Sequence, residues 1–141
     1  MITLDVGSDA DLPAIRVLLT QAGLPLDGLM EPPTRFVVAR NGDRLVGVGA
    51  LEQHGSDGLL RSLVVEPEVR ATGIGSGIVT ELERWADEIG LTGTYILTDT
   101  AERFFSRRGY RRIGRRDAPP AVMGSIEWAT ACDESATAMV R

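Results

Sequence analysis

The 141-residue sequence predicts one α+β domain (α/β in the broad usage). It reads as a mixed, mostly antiparallel central sheet with helices on both faces. Three observations carry the prediction. Strand-like runs separated by glycine turns follow one another through residues 36–65. Beyond them, helical and strand-like periodicities alternate. Between the two regions, Arg70-Ala-Thr-Gly-Ile-Gly75 joins an apolar strand to a strongly amphipathic segment.

Taken in order, Ile2 to Val6 alternates weakly and reads as a short strand. Ser8 or Asp9 can cap the helix that follows, with Asp11 and Pro13 in its first turn. Leu12, Ile15, Leu18, Leu19 and Ala22 recur at helical spacing, and Gly23 ends the run. Leu24 to Pro33 holds three prolines and reads as an irregular lid or a broken second helix. Phe36 to Arg40, Asn41-Gly42 and Arg44 to Glu52 form a hairpin pattern, because Asn-Gly supplies the positive φ angles of a two-residue turn. His54 to Gly58 is a second turn, leading into the strand Leu59 to Val65.

Ile74, Ile78, Leu82, Trp85, Ala86 and Ile89 then line one helix face, with Glu81, Glu83, Arg84, Asp87 and Glu88 on the other and Gly90 as the stop. Thr94 to Leu97 is a short buried strand. Ala101 to Arg108 is a helix ended by Gly109, and Tyr110 to Ile113 a further strand. A helix is expected from Pro120 or Ala121 to about Ala131, and a terminal strand over Ala136 to Val140.

Composition narrows the function classes. No basic leader with an apolar core and no membrane-length apolar run is present, so a soluble cytoplasmic protein is expected. The single cysteine, Cys132, allows no internal disulfide and fits a reducing compartment; with one histidine it makes no closed zinc site, and no metal is expected. All 15 basic residues are arginine, which excludes a Walker lysine and Schiff-base chemistry. Seven arginines (103, 107, 108, 111, 112, 115 and 116) fall in a window with no acidic residue. That window carries +7 against a whole-chain charge of −5, leaving −12 elsewhere. The pattern suggests a local anion site, with neither nucleic acid nor membrane as partner.

The glycine turn is the best-defined part of that site. The first amides of a helix have no intrahelical partner and the helix dipole favours negative charge there, so a phosphate fits. Gly73, Gly75 and then Ile78 break the Gly-x-Gly-x-x-Gly spacing of dinucleotide folds, and the turn follows the fourth strand where those folds use the first. What remains is Arg/Gln-x-x-Gly-x-Gly/Ala after a Val-x-Pro strand end, here Val65-Glu-Pro-Glu-Val-Arg70-Ala-Thr-Gly73-Ile-Gly75.

This arrangement resembles the acetyl-coenzyme A motif of the GNAT N-acetyltransferase superfamily. Phe104-Phe105 before Gly109-Tyr110 looks like its second motif. Across nearly the whole chain the sequence is also similar to GNAT proteins named for arsenic resistance. The segments are Leu60-Arg-Ser-Leu-Val-Val65, Leu97-Thr-Asp-Thr-Ala-Glu-Arg-Phe-Phe105, Asp117-Ala-Pro-Pro-Ala121, and Cys132 with Ser135-Ala136.

The resemblance implies acetyl-CoA as co-substrate. Leu63, Val64 and Val65 are expected to splay from the next strand and pair with pantetheine amides. Backbone amides of Arg70, Ala71, Thr72, Gly73, Ile74, Gly75 and Ser76 are expected to hold the pyrophosphate, the glycines allowing close approach. Thr98, Thr100, Phe104 and Arg107 are expected to flank the thioester and the rest of the cofactor, with Arg107 or Arg108 within reach of a phosphate.

Acetyl transfer needs a neutral amine, a donor for the thioester oxygen and a proton for the leaving thiolate. The Val64 amide is the expected oxygen donor. The superfamily's frequent glutamate position is Leu59 here, which cannot serve, so Glu52 on the neighbouring strand is the expected base; His54 has the better intrinsic pKa but lies in a turn. Phe105 stands where many relatives carry a tyrosine acid, leaving water or a hydroxyl such as Ser62 or Thr98. The implied function is N-acetylation of a small amine or amino acid, with an amine-bearing toxicant as the acceptor the arsenic name suggests. A non-catalytic acyl-CoA-binding or regulatory module is the alternative, and a homodimer stays open.

Overall fold

A computed structural model describes residues 1–26, 29, 33–70, 72–125, 128–129 and 136–141. The strands are β1 (Ile2–Val6), β2 (Thr34–Asn41), β3 (Arg44–His54), β4 (Asp57–Val65), β5 (Thr94–Thr98), β6 (Arg111–Ile113) and β7 (Thr137–Val140). The helices are α1 (Leu12–Gln21), α2 (Ile74–Glu88), α3 (Glu102–Arg107) and α4 (Pro120–Met123). All seven strands form one sheet in the order β1-β2-β3-β4-β5-β7-β6. Only β4 and β5 run parallel, so the sheet is mixed and mostly antiparallel, as the sequence predicts.

Two apolar clusters explain the layering. On one face Val37, Ala39, Val46, Leu51 and Leu60 pack under Ile74, Ile78 and Leu82 of α2 and Phe105 of α3. On the other, Phe36, Val38, Val48 and Ala50 pack under Ile15, Leu18 and Leu19 of α1. A strand covered on both sides reads as a continuous apolar run, which is why β3 is buried from Leu45 to Leu51 without alternation. Leu59, Leu97 and Ala138 continue the α1 face and pack against Val122 of α4 and Trp128. Gly49 lets α2 lie close to the sheet, since a Cβ there would stand 2.6 Å from Ile78 Cγ2.

Several expectations shift. In the β2–β3 hairpin Asn41 stays in the strand, paired with Arg44, and Gly42 alone takes the positive φ, at 64°. A 3-10 turn, Asp9–Asp11, precedes α1. The Asp11 carboxylate accepts from the Ser8 amide at 2.9 Å and from both Arg40 terminal nitrogens at 2.8 and 2.9 Å. Glu83, expected on the solvent face of α2, is buried, whereas Ile89, expected on the apolar face, is 40% exposed. The helix after Pro119 spans only Pro120–Met123, capped by Gly124. The expected end near Ala131, Cys132 and Ser135 lie outside the described residues, as does Ala71. Among the described residues no helix is long and apolar enough to cross a membrane, and no group of three His, Cys, Asp or Glu side chains could hold a metal.

Candidate active site

The site begins where β4 and β5 part. Their parallel pairing covers Gly58–Thr94, Leu59–Tyr95 and Leu60–Ile96 and then stops. A bulge accompanies the divergence: β3 pairs Ala50 with Arg61 and Val48 with Val64, so Gly49 alone faces both Ser62 and Leu63. Ser62 adopts φ +59°, the left-handed region that a serine rarely occupies. Past the bulge a cavity of about 500 Å3 opens between the strands. Ser62, Leu63, Thr98, Thr100 and Phe105 line it, and Ala22 to Pro25 after α1 form another wall.

Strand alternation sorts the backbone groups around this gap. The Glu66 amide donates to the Val46 carbonyl at 2.8 Å, which puts 46 and 66 at a hydrogen-bonded position of the ladder. Two residues on, Val48 and Val64 are register partners, and the alternation of the ladder turns the Val64 amide toward β3. By the same alternation, Leu63, which has no register partner on β3, turns its amide toward the gap. The side chains follow suit: Val64 packs into the α1 cluster and Leu63 and Val65 against the α2 cluster.

At the far end of β4 the chain makes a 3-10 turn, Pro67–Val69, before α2. Gly73 is the α2 N-cap at φ +84°, a conformation that L side chains resist. Its carbonyl accepts from the Gly77 amide at 2.9 Å, which leaves the amides of Ile74, Gly75 and Ser76 without intrahelical partners. Arg70 folds back, its Nε donating to the Val65 carbonyl at 2.9 Å, and the Thr72 hydroxyl donates to the Val69 carbonyl. Both side chains brace the loop from within, and Arg70 keeps its two terminal nitrogens at the exposed surface.

On the α1 face a polar chain runs along the sheet from the cavity wall. Arg61, with a fully buried side chain, donates from Nε to Ser62 Oγ at 3.1 Å, from one terminal nitrogen to Glu52 Oε2 at 3.0 Å and from the other to the Pro25 carbonyl at 3.2 Å. The other Glu52 oxygen meets His54 Nε2 at 2.8 Å. Glu52 itself is 2% exposed and His54 partly exposed, so Glu52 reaches solvent through His54. Sequence reasoning missed Arg61. The signal was there: an arginine two residues from Leu59 in an apolar strand must share that residue's face, and burial of its charge demands a carboxylate partner.

A second buried polar group lies between α2 and α3. Arg108 donates to Ser76 Oγ and Thr80 Oγ1, both at 2.8 Å, and to Glu83 Oε1 at 2.7 Å. Tyr110 donates to the other Glu83 oxygen at 2.8 Å. Burial first, and the adjacent carboxylate second, push the Tyr110 hydroxyl above its ordinary value, so it stays a donor. Arg108 is therefore committed within the protein, while Arg107 is exposed and makes no ion pair among the described residues. Phe104 is partly buried beneath the Arg108 guanidinium, 5.8 Å from its ring centre. Thr98 Oγ1 accepts from the Ala101 amide at 3.0 Å, fixing the turn into α3.

Comparison with known proteins shows the family. The acetyltransferase (GNAT) domain family matches residues 32–112, which run from β2 through β6. The amino-acid acetyltransferase of Mycobacterium tuberculosis is 37% identical over 114 residues, covering 74% of this chain but 65% of its own length. The crystal structure of Rv2747 from Mycobacterium tuberculosis in complex with CoA superposes with a TM-score of 0.81 at 25% identity, over 98% of this chain and 97% of that one. N-acetylglutamate synthase from Neisseria gonorrhoeae, complexed with coenzyme A and N-acetyl-glutamate, gives 0.80 at 19% identity; all of this chain matches 35% of that protein. With the family match spanning more than half of its residues, the chain belongs to the GNAT acetyltransferase family.

Proposed function

We propose that this chain is an acetyl-CoA-dependent N-acetyltransferase whose acceptor is the amine of a small molecule, with free amino acids the leading class. One observation carries the donor half. The gap beside the β4 bulge and the free amides of α2 lie at successive points of one continuous backbone, Leu63 to Ser76. They match in chemistry the amide-bearing arm and the pyrophosphate of coenzyme A. Leu63 and Val65 offer backbone groups to the arm, and Thr72, Gly73, Ile74, Gly75 and Ser76 offer their amides to the phosphates, while the Arg70 amide already donates to the Pro67 carbonyl at 3.4 Å. Thr98, Thr100 and Phe104 flank the opposite side, and exposed Arg107 is free to meet a terminal phosphate. The relatives' acceptors support the amino-acid class.

The bound co-substrate supplies an activated acetyl thioester. We assign the donor for its carbonyl oxygen to the Leu63 amide in place of Val64, whose N–H is directed at β3. Ser62 Oγ accepts from Arg61 Nε, so its own proton is free to turn into the cavity toward the departing thiolate. Glu52 keeps both oxygens engaged, so the amine proton travels by water to the Glu52–His54 pair.

Thiol release from acetyl-CoA with a panel of amino acids, polyamines and amine-bearing toxicants, with product mass, tests the reading. Turnover that falls at least about tenfold in Glu52→Gln supports the proton path. Tight CoA binding with no turnover across the panel favours the non-catalytic binding module instead.

A further inference from the structure

We infer that Arg108 is a positioning residue for the phosphate socket, acting through the Ser76 hydroxyl. The inference rests on the donor half of the proposed function. Arg108 follows α3, yet it reaches back to α2 and binds Ser76, Thr80 and Glu83 at successive turns. An arginine has donors only, so at 2.8 Å it occupies a lone pair of Ser76 Oγ and forces the serine proton to point elsewhere. No acceptor for that proton stands among the described residues.

Ser76 is the third residue of α2, and helix Cβ atoms tilt toward the N-terminus, so its Oγ leans back over the turn that carries the free amides. A hydroxyl held in this way is a fourth donor beside the amides of Ile74, Gly75 and Ser76.

Charge is not what Arg108 brings: it pairs with Glu83 at 2.7 Å, and Arg141, which also approaches Glu83 at 3.5 Å, is balanced by Asp87 at 2.7 Å. Its contribution is direction. Simple bracing of α2 against α3 is a poor explanation of the arrangement: Nε is buried with no partner among the described residues, a costly state that a lysine or an apolar contact avoids. The same guanidinium also lies over Phe104, so one side chain relates the phosphate socket to the α3 side of the gap.

A double-mutant cycle on CoA affinity, read by titration calorimetry on the full chain, tests this. Ser76→Ala removes the hydroxyl while leaving the Glu83 and Thr80 contacts of Arg108 in place; it is expected to weaken CoA by about ten- to 150-fold, the range of one hydrogen bond to a charged group. Arg108→Lys keeps a cation beside Glu83 but cannot fork to Ser76 as well, and is expected to weaken CoA comparably. In the Ser76→Ala background the same lysine substitution is expected to add nothing. Unchanged affinity in Ser76→Ala overturns the inference, as does full additivity of the two substitutions, which a merely structural Arg108 produces. If the unsubstituted protein binds no CoA, the donor reading itself fails, a result distinct from wild-type binding that Ser76→Ala leaves intact.

Discussion

Gly49→Ala tests whether close contact between α2 and the sheet sets the geometry of the site. The new Cβ meets Ile78 Cγ2 at 2.6 Å, Leu82 Cδ1 at 3.2 Å and Leu63 Cδ1 at 3.3 Å. Carbon atoms settle at about 3.5–4.0 Å, so the first contact is short by roughly 1 Å. Ile78 is β-branched and confined to essentially one rotamer in a helix, so it cannot swing aside. The helix must lift instead, and overpacking of this kind costs about 1–3 kcal/mol. For a domain of this size that lowers Tm by roughly 4–12 °C. Because α2 carries the free amides at one end and Gly49 faces the bulge, the same shift weakens CoA binding.

Calorimetric unfolding and a CoA titration on one sample read both effects. Gly75→Ala is the control for the unfolding arm alone: its nearest non-local atom is Val65 Cγ2 at 3.7 Å, an ordinary contact, and replacing a helical glycine gains up to about 1 kcal/mol. A Gly49→Ala protein that melts with the parent, or melts low with CoA affinity unchanged, refutes the reasoning.

Other predictions concern single residues. Ser62 reverses the usual order of small residues: alanine and glycine both lose the hydrogen bond from Arg61, but only glycine relieves φ +59°, so Ser62→Gly is expected to be more stable than Ser62→Ala by about 1 kcal/mol in denaturant titration. Gly73→Ala forces a side chain into φ +84°, costing about 1 kcal/mol and misaiming the first α2 amides, so CoA affinity falls by more than stability alone explains; equal affinity in the variant argues against a backbone phosphate socket. The Asp11 carboxyl is held at about 2, below its ordinary 3.8, first by the Arg40 hydrogen bond and then by the Ser8 amide. A lowered folded-state pKa stabilises the protein above pH 3.8, and that stability is lost as pH falls from 3.8 toward 2. After allowance for solvent screening at partly exposed Arg40 the effect is about 1 kcal/mol, and Asp11→Asn should flatten the acid limb of the stability profile by that amount.

The parts legible in the sequence are those governed by local rules. Period-two and period-3.6 apolar patterns, glycines where φ turns positive, and free amides at a helix start are each written within a few residues. The seven strands, α1, α2 and the Gly73 turn could therefore be read directly. What tertiary structure alone decided is how charged residues were absorbed and where amides point. Glu83 reads as a surface carboxylate from helical spacing, yet Arg108 and Tyr110, 25 and 27 residues away, make its burial affordable. Arg61 reads as one more strand residue until Glu52, Ser62 and the Pro25 carbonyl close around it. The bulge that sets Ser62 and Leu63 together opposite Gly49 exists only through the register of β3 and β4. Buried charges need partners and a strand amide needs a facing strand, and both come from distant parts of the chain that no local pattern encodes.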